Sequence, residues 1–217
     1  MKDEKNPVAS RREVRRQDRR EAIMAVASSS FLDHGYSGTT MSGIASTLGG
    51  SKGTLWSYFS SKEELFAAVI DDATRAYRLQ LTQILDDPCN DLRQTLRRFC
   101  ISIMEKVTSP DAIALYRLVA AEAGRFPEMG RIFYDRAPRQ THMLLAGFLK
   151  DAMDRGQLRI DDPLDTARLL INLCVTGCQQ TLVMSVTQTV APEMIAAEVD
   201  RATELFMRGY AHEPANP

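Results

Sequence analysis

The sequence predicts an all-α fold of nine helices: an N-terminal three-helix helix-turn-helix domain, residues 1–62, and a larger helical domain, residues 63–217. Three observations lead there. Apolar residues recur at helical spacing along most of the 217 residues, the alternation that marks strands is absent, and prolines or small capping residues stand where one periodic stretch gives way to the next. With 44% hydrophobic and 25% charged residues, the chain has enough apolar material for a core in one or two domains.

The first helix is expected from about Ser10 to His34, with Ala22, Ile23, Val26, Ala27, Ser30 and Phe31 on its apolar face and Gly35 as its stop. Thr39 and Thr40 can cap a short second helix, Met41 to Leu48, ended by Gly49 and Gly50. Ser51 then caps a third, Lys52 to Tyr58. Ser61 followed three residues later by Glu64 reads as a capping box that opens a fourth helix running toward Asp86. Pro88, Pro110, Pro127, Pro163 and Pro192 each suit the first turn of a further helix, where a missing N–H costs nothing. Pro138 falls inside the seventh pattern and should kink or divide it.

A formal net charge of −1 hides an uneven distribution. Between Ser10 and Lys62 eight basic residues face four acidic ones, so a basic head precedes an acidic body, as expected if only the head meets phosphates. The polar run from Met1 to Arg20 is unlike a signal peptide, which points to the cytosol and to four cysteines kept as thiols. Leu169 to Pro192 has no charge and is long enough to span a bilayer, yet nine of its 24 residues are polar. It is expected to be buried in protein, with no membrane partner.

The densest motif is Thr39 to Glu64, TTMSGIASTLGGSKGTLWSYFSSKEE. Two short helices joined at a glycine turn let the N-terminus of the second enter a major groove while the first crosses the backbone. That second helix begins Ser-Lys-Gly-Thr, and its small side chains permit close approach to base edges. Helix starts at Thr40, Ser51 and Ser61 offer free N–H groups to phosphates, with Lys62 adding a cation.

On these residues the chain resembles the tetracycline-repressor (TetR) family of regulators. The matching positions are Thr40, Ile44, Ala45, Gly49, Ser51, Gly53, Thr54, Leu55, Tyr58, Phe59, Ser61, Lys62, Glu63 and Leu65, in register and without gaps. Two positions depart from the pattern: Trp56 stands where the family usually has Tyr, and Gly50 where it usually has a branched apolar residue. The resemblance implies a ligand-responsive repressor that binds a palindromic operator in double-stranded DNA, in the bacterial cytoplasm and associated with the nucleoid. It implies that Thr40, Trp56, Tyr58 and Lys62 hold phosphates, that Lys52, Gly53 and Thr54 lie against bases, and that Ser42 and Ser51 belong to the same surface. Apart from the resemblance, the arginine run on the first helix offers Arg12, Arg15, Arg16 or Arg19 as a further phosphate contact, and also fits a solvated face. Arg117 to Met153 and the apolar helix after it are similar to the AefR-like subgroup.

The eighth helix, about Leu164 to Gln188, is apolar in every direction and must be covered on all sides. One face can pack on its own domain and the other on a second copy, with the ninth helix completing a four-helix interface; Leu170, Cys174, Cys178, Leu182 and Leu205 are the candidate homodimer residues. A small-molecule effector is expected between helices four to seven, with Phe99, Met104, Tyr116, Val119, Phe133, Met143 and Phe148 as candidate lining residues; the same spacing also fits plain core. Cys174 and Cys178 share a helix face but no histidine is spaced near them, so packing is expected and no metal or other cofactor. No glycine-rich phosphate loop, metal-spaced histidine pair or nucleophile with an evident base is found, so no enzyme is expected. A helical adaptor or an enzyme without a DNA-binding role is the alternative.

Overall fold

The computed structural model describes residues 11–49, 52–87 and 91–211, so Ser10, Gly50, Ser51 and Pro88 lie outside the described residues. Among the described residues ten helical segments appear: α1 (Arg11–Gly38), α2 (Met41–Thr47), α3 (Lys52–Trp56), α4 (Lys62–Leu85), α5 (Leu92–Val107), α6 (Pro110–Glu122), α7 (Pro127–Arg136), α8 (Pro138–Asp154), α9 (Pro163–Val183) and α10 (Pro192–Tyr210). The tenth arises because Pro138 divides the seventh pattern. Ala137 leaves the helical region at φ −118°, ψ −81°, and Pro138 opens α8, since its ring cannot sit against a preceding helical turn. Taken across that break as one divided helix, the segments make the expected nine. Among the described residues there is no strand, only an isolated antiparallel bridge between Leu158 and Ala211.

Contacts divide the chain into two compact units, Met1–Val69 and Ile70–Pro217. In the first, α1 buries Ile23, Met24, Ala27 and Phe31, whereas Ala22 is exposed and Val26 only half-buried, so Met24 replaces them on the inner face. Gly35 breaks the helix at φ 76°, ψ 169°, and one further turn carries Tyr36 into the core. Phe31 stacks on Tyr36 at 5.6 Å between ring centroids, and Phe66 meets both edge-on at 5.2 and 5.4 Å. Each such ring pair contributes about 0.5–1.5 kcal/mol beyond area burial.

In the second unit α8 packs on α9 and α5 on α10 around a core that includes Leu96, Phe99, Met104, Leu149, Leu170 and Phe206. Arg93–Glu204 and Arg97–Asp200, both at 2.5 Å, tie α5 to α10 on the surface and add register more than stability. α9 ends at Val183, short of the expected Gln188. The chain leaves the helix at Ser185, φ 59°, with the Val186 N–H donating back to the Thr181 carbonyl at 2.9 Å, and the Arg117 guanidinium of α6 donates to the freed carbonyls of Leu182 (2.5 Å) and Val183 (3.0 Å) and to Ser185 Oγ (2.9 Å). A cation there also suits the negative end of the helix dipole.

Candidate nucleic-acid interface and ligand cavity

The helix-turn-helix is built around a few buried anchors. Ile44 and Ala45 of α2, Leu55 of α3 and Phe59 beyond it are almost wholly buried. With Leu55 inward, the helical period leaves Gly53, Thr54, Trp56 and Ser57 outward, Trp56 being 45% exposed. The turn before α3 contains Gly49 at φ 63°, a conformation that side-chain-bearing residues avoid. Arg19 donates to the Leu48 carbonyl at 3.4 Å and so ties α1 to the end of α2.

Two hydroxyls expected to act alike have separate tasks. Thr39 is buried and donates back to the carbonyls of Ser30 (2.8 Å) and Gly35 (2.7 Å), closing the end of α1. Thr40 is exposed and caps α2, its Oγ1 accepting from the Gly43 N–H at 3.0 Å. At the start of α4, the Ser61 hydroxyl accepts from the Glu64 N–H at 3.1 Å, one half of a capping box. The other half is displaced by one residue: Glu64 accepts from the N–H and hydroxyl of Ser60, both at 2.7 Å, rather than from Ser61. These bonds, the hydroxyl first, hold the Glu64 carboxyl below its ordinary range.

Lys62 and Glu63 grip Tyr36 from both ends. Lys62 Nζ donates to the carbonyls of Tyr36 (2.9 Å) and Thr39 (3.3 Å) and sits 4.1 Å from the centre of the Tyr36 ring, while the Tyr36 hydroxyl donates to Glu63 at 3.2 Å. Half-buried Lys62 thus has an internal task in addition to the phosphate contact expected of it. Arg16, exposed, lies 6.0 Å over the half-buried Tyr58 ring, and Arg20 lies 5.1 Å over Phe59. Ser42 is half-buried; Lys52 opens α3, and Ser51 is outside the described residues.

In the second unit a cavity of about 310 Å³ opens among α4 to α9. Of the seven expected lining residues, Tyr116 and Phe133 line it, meeting edge-to-face at 6.4 Å between centroids. Phe99 and Met104 are instead fully buried in the core, Val119 is buried elsewhere, and Met143 is 52% exposed. Phe148 packs partly on the core and lines a separate, more polar groove with Asp86, Asp87 and Asp151. Phe99 and Met104 miss the cavity because the best-packed residues tile the core, while the cavity lies where packing stops, against Tyr77 of α4, Thr141 and His142 of α8 and Ile171 and Val175 of α9.

The candidate interface residues divide similarly. Leu170, Cys174, Cys178 and Leu182 are buried within the chain itself, so this stripe of α9 is the inward one. The adjoining stripe carries Leu169 and Leu173, 42% and 37% exposed, and α10 presents Met194 and Leu205, the latter 50% exposed. An all-apolar helix gave no sign of which stripe faced inward. Among the described residues no three His, Cys, Asp or Glu stand together as a metal site, and no helix is long and apolar enough to cross a membrane.

A three-helix head with an exposed short recognition helix, followed by an α-helical body with an internal cavity, defines a class of DNA-binding regulators. Residues 23–69 match the model for bacterial regulatory proteins of the TetR family, and residues 94–212 match the C-terminal domain of AefR-like transcriptional repressors. The chain belongs to the TetR family of transcription regulators. The repressor AcnR of Corynebacterium diphtheriae is 40% identical over 177 residues, 79% of this chain and 83% of its own. The repressor NemR of Escherichia coli is 27% identical, covering 72% of this chain and 80% of its own. Among solved structures, the flavonoid-responsive regulator FrrA superimposes with a TM-score of 0.78 at 29% identity, covering 91% of this chain and all of its own.

Proposed function

We propose that this regulator represses transcription by binding a palindromic operator as a homodimer in the bacterial cytoplasm, and that a small, largely apolar effector filling the cavity among α4 to α9 releases it. The observation that carries the reading is the exposed run Gly53, Thr54 and Trp56 on a five-residue helix anchored by buried Leu55. Small side chains there allow close approach to base edges, and Trp56, Tyr58, Thr40, Ser42, Ser51, Lys52 and Arg16 are assigned to the surrounding backbone and groove contacts. In this reading residues 1–62 bind DNA and 63–217 bind effector and partner, and no catalytic step is assigned.

Leu169, Leu173, Met194 and Leu205 are assigned to the homodimer interface, since four large apolar side chains on two packed helices gain most by covering one another across a two-fold axis. The dimer would present two copies of α3 to successive major grooves. Effector binding would favour a second state of the dimer in which those copies are wrongly spaced, with α4, whose residues belong to both units, carrying the change. The flavonoid-responsive relative supports a ring-bearing effector here.

The test is an electrophoretic mobility shift of the full chain on DNA flanking its own gene. Wild type should retard one duplex selectively, with affinity falling steeply as salt rises. Thr54→Glu, on an exposed position, should abolish retardation while the chain keeps its helicity and a cooperative melting transition. Equal binding by Thr54→Glu, or no selective retardation by wild type, would overturn the reading.

A further inference from the structure

The wall of the cavity carries one unmet hydrogen-bonding requirement. His142 Nδ1 is buried and has no hydrogen-bond partner, on a side chain that lines the cavity. The largely buried phenol of Tyr77 lines the same cavity, near the Thr141 side chain. Most of the remaining wall is aliphatic or aromatic: Ile103, Val107, Leu115, Ile171 and Val175, with Tyr116 and Phe133 as its ring faces. We propose that the effector is a neutral one- or two-ring phenol whose hydroxyl accepts from the Tyr77 O–H and donates to His142 Nδ1, while its rings lie against Tyr116 and Phe133. This rests on the reading of the cavity as the effector site.

The chemistry selects a hydroxyl over other polar groups. A hydroxyl both donates and accepts, so it serves a phenol donor and an imidazole acceptor together; an ether, a ketone or a carboxylate only accepts. Both protein groups are neutral near pH 7: burial, followed by the charge of Arg168, lowers the His142 pKa, and burial raises that of Tyr77. A carboxylate would also have to shed its water against a wall that is mostly apolar. Two cations stand on the wall: Arg78, held by Asp71 and the Arg136 carbonyl, and half-buried Lys106, with exposed Asp111 on the same wall. A volume of about 310 Å³ is at the small end of ligand cavities, enough for two rings.

The experiment is isothermal titration of the DNA-free full chain with 4-phenylphenol, 4-methoxybiphenyl and biphenyl-4-carboxylate, three two-ring probes that differ in one substituent. Wild type should bind the phenol about tenfold more tightly than the ether, the worth of a hydrogen bond to a buried orphan group, and the carboxylate least. His142→Phe should reduce the preference for phenol over ether to less than about twofold, and Tyr77→Phe should do so independently if the first variant melts early. Equal affinity of phenol and ether for wild type overturns the inference, as does a preference for the carboxylate or a preference that survives both variants. Binding of none of the probes by a chain that still retards its operator also overturns it, and leaves the regulator reading standing.

Discussion

Replacing Lys62 by Met tests whether this lysine is a phosphate ligand or an internal clamp. In the structure its ammonium donates to two carbonyls, at 2.9 and 3.3 Å, and covers the Tyr36 ring at 4.1 Å. A hydrogen bond from a charged donor contributes roughly 1.5–3 kcal/mol, of which the longer one merits only a part, and the ring contact adds about 0.5–1 kcal/mol. Because Lys62 is half-buried, solvent screening reduces the sum, and we expect a loss of about 2 kcal/mol. Methionine keeps most of the stem, so little of that loss comes from packing. Trp56, the sole tryptophan, lies in the first unit and reports its unfolding. Urea denaturation followed by its fluorescence should show the midpoint fall with an unchanged slope, and a thermal scan a decrease of about 10 °C. A change below about 0.5 kcal/mol, with operator affinity reduced and its salt dependence shallower, would refute the clamp and return Lys62 to the phosphates.

Gly49→Ala should cost about 1 kcal/mol in the same denaturation, because φ of 63° strains any side chain while no neighbouring atom lies within 4 Å of the added methyl; an unchanged midpoint would contradict the account of the turn. Leu173→Glu, on the exposed stripe of α9, should convert the dimer to monomer in light scattering after size exclusion with helicity retained, whereas a dimer of wild-type mass would place the interface elsewhere. The Glu64 carboxyl has its folded pKa below its ordinary value of 4.5, so the stability it adds is present above pH 4.5 and is lost as pH falls through the lower folded value. Glu64→Gln should therefore lose less melting temperature than wild type between pH 6 and 3, and equal losses would argue against the bond to Ser60.

What could be read without coordinates was whatever is written in local chemistry. Gly35, Thr40, Ser61 and Pro138 each act within a turn or two of their own position, so their consequences follow from spacing alone. The motif from Thr39 to Glu64 likewise marked both the head of the molecule and its family. The interior of the second unit was different, since large apolar residues look alike whether they fill a core or line a cavity. Phe99 and Met104 fell on one side of that division and Tyr116 and Phe133 on the other, decided by how six helices meet. Nothing in the sequence linked Tyr77 to His142, which are polar, far apart along the chain and in no motif. Leu170 and Leu169 are adjacent in sequence yet lie on buried and exposed stripes of one helix, because small differences in packing rotate a helix that is apolar all round. Lys62 carries a motif position whose contacts, to carbonyls at the end of α1, are visible only in three dimensions.

The most direct test of two symmetric copies of α3 reading one DNA face is selection by the full chain from a random pool of duplexes, followed by sequencing of the survivors. The expected outcome is an inverted repeat whose half-sites are centred about one helical turn, roughly 10 base pairs, or a small multiple of it apart. Survivors with no common sequence, or with a single unrepeated site, would contradict it.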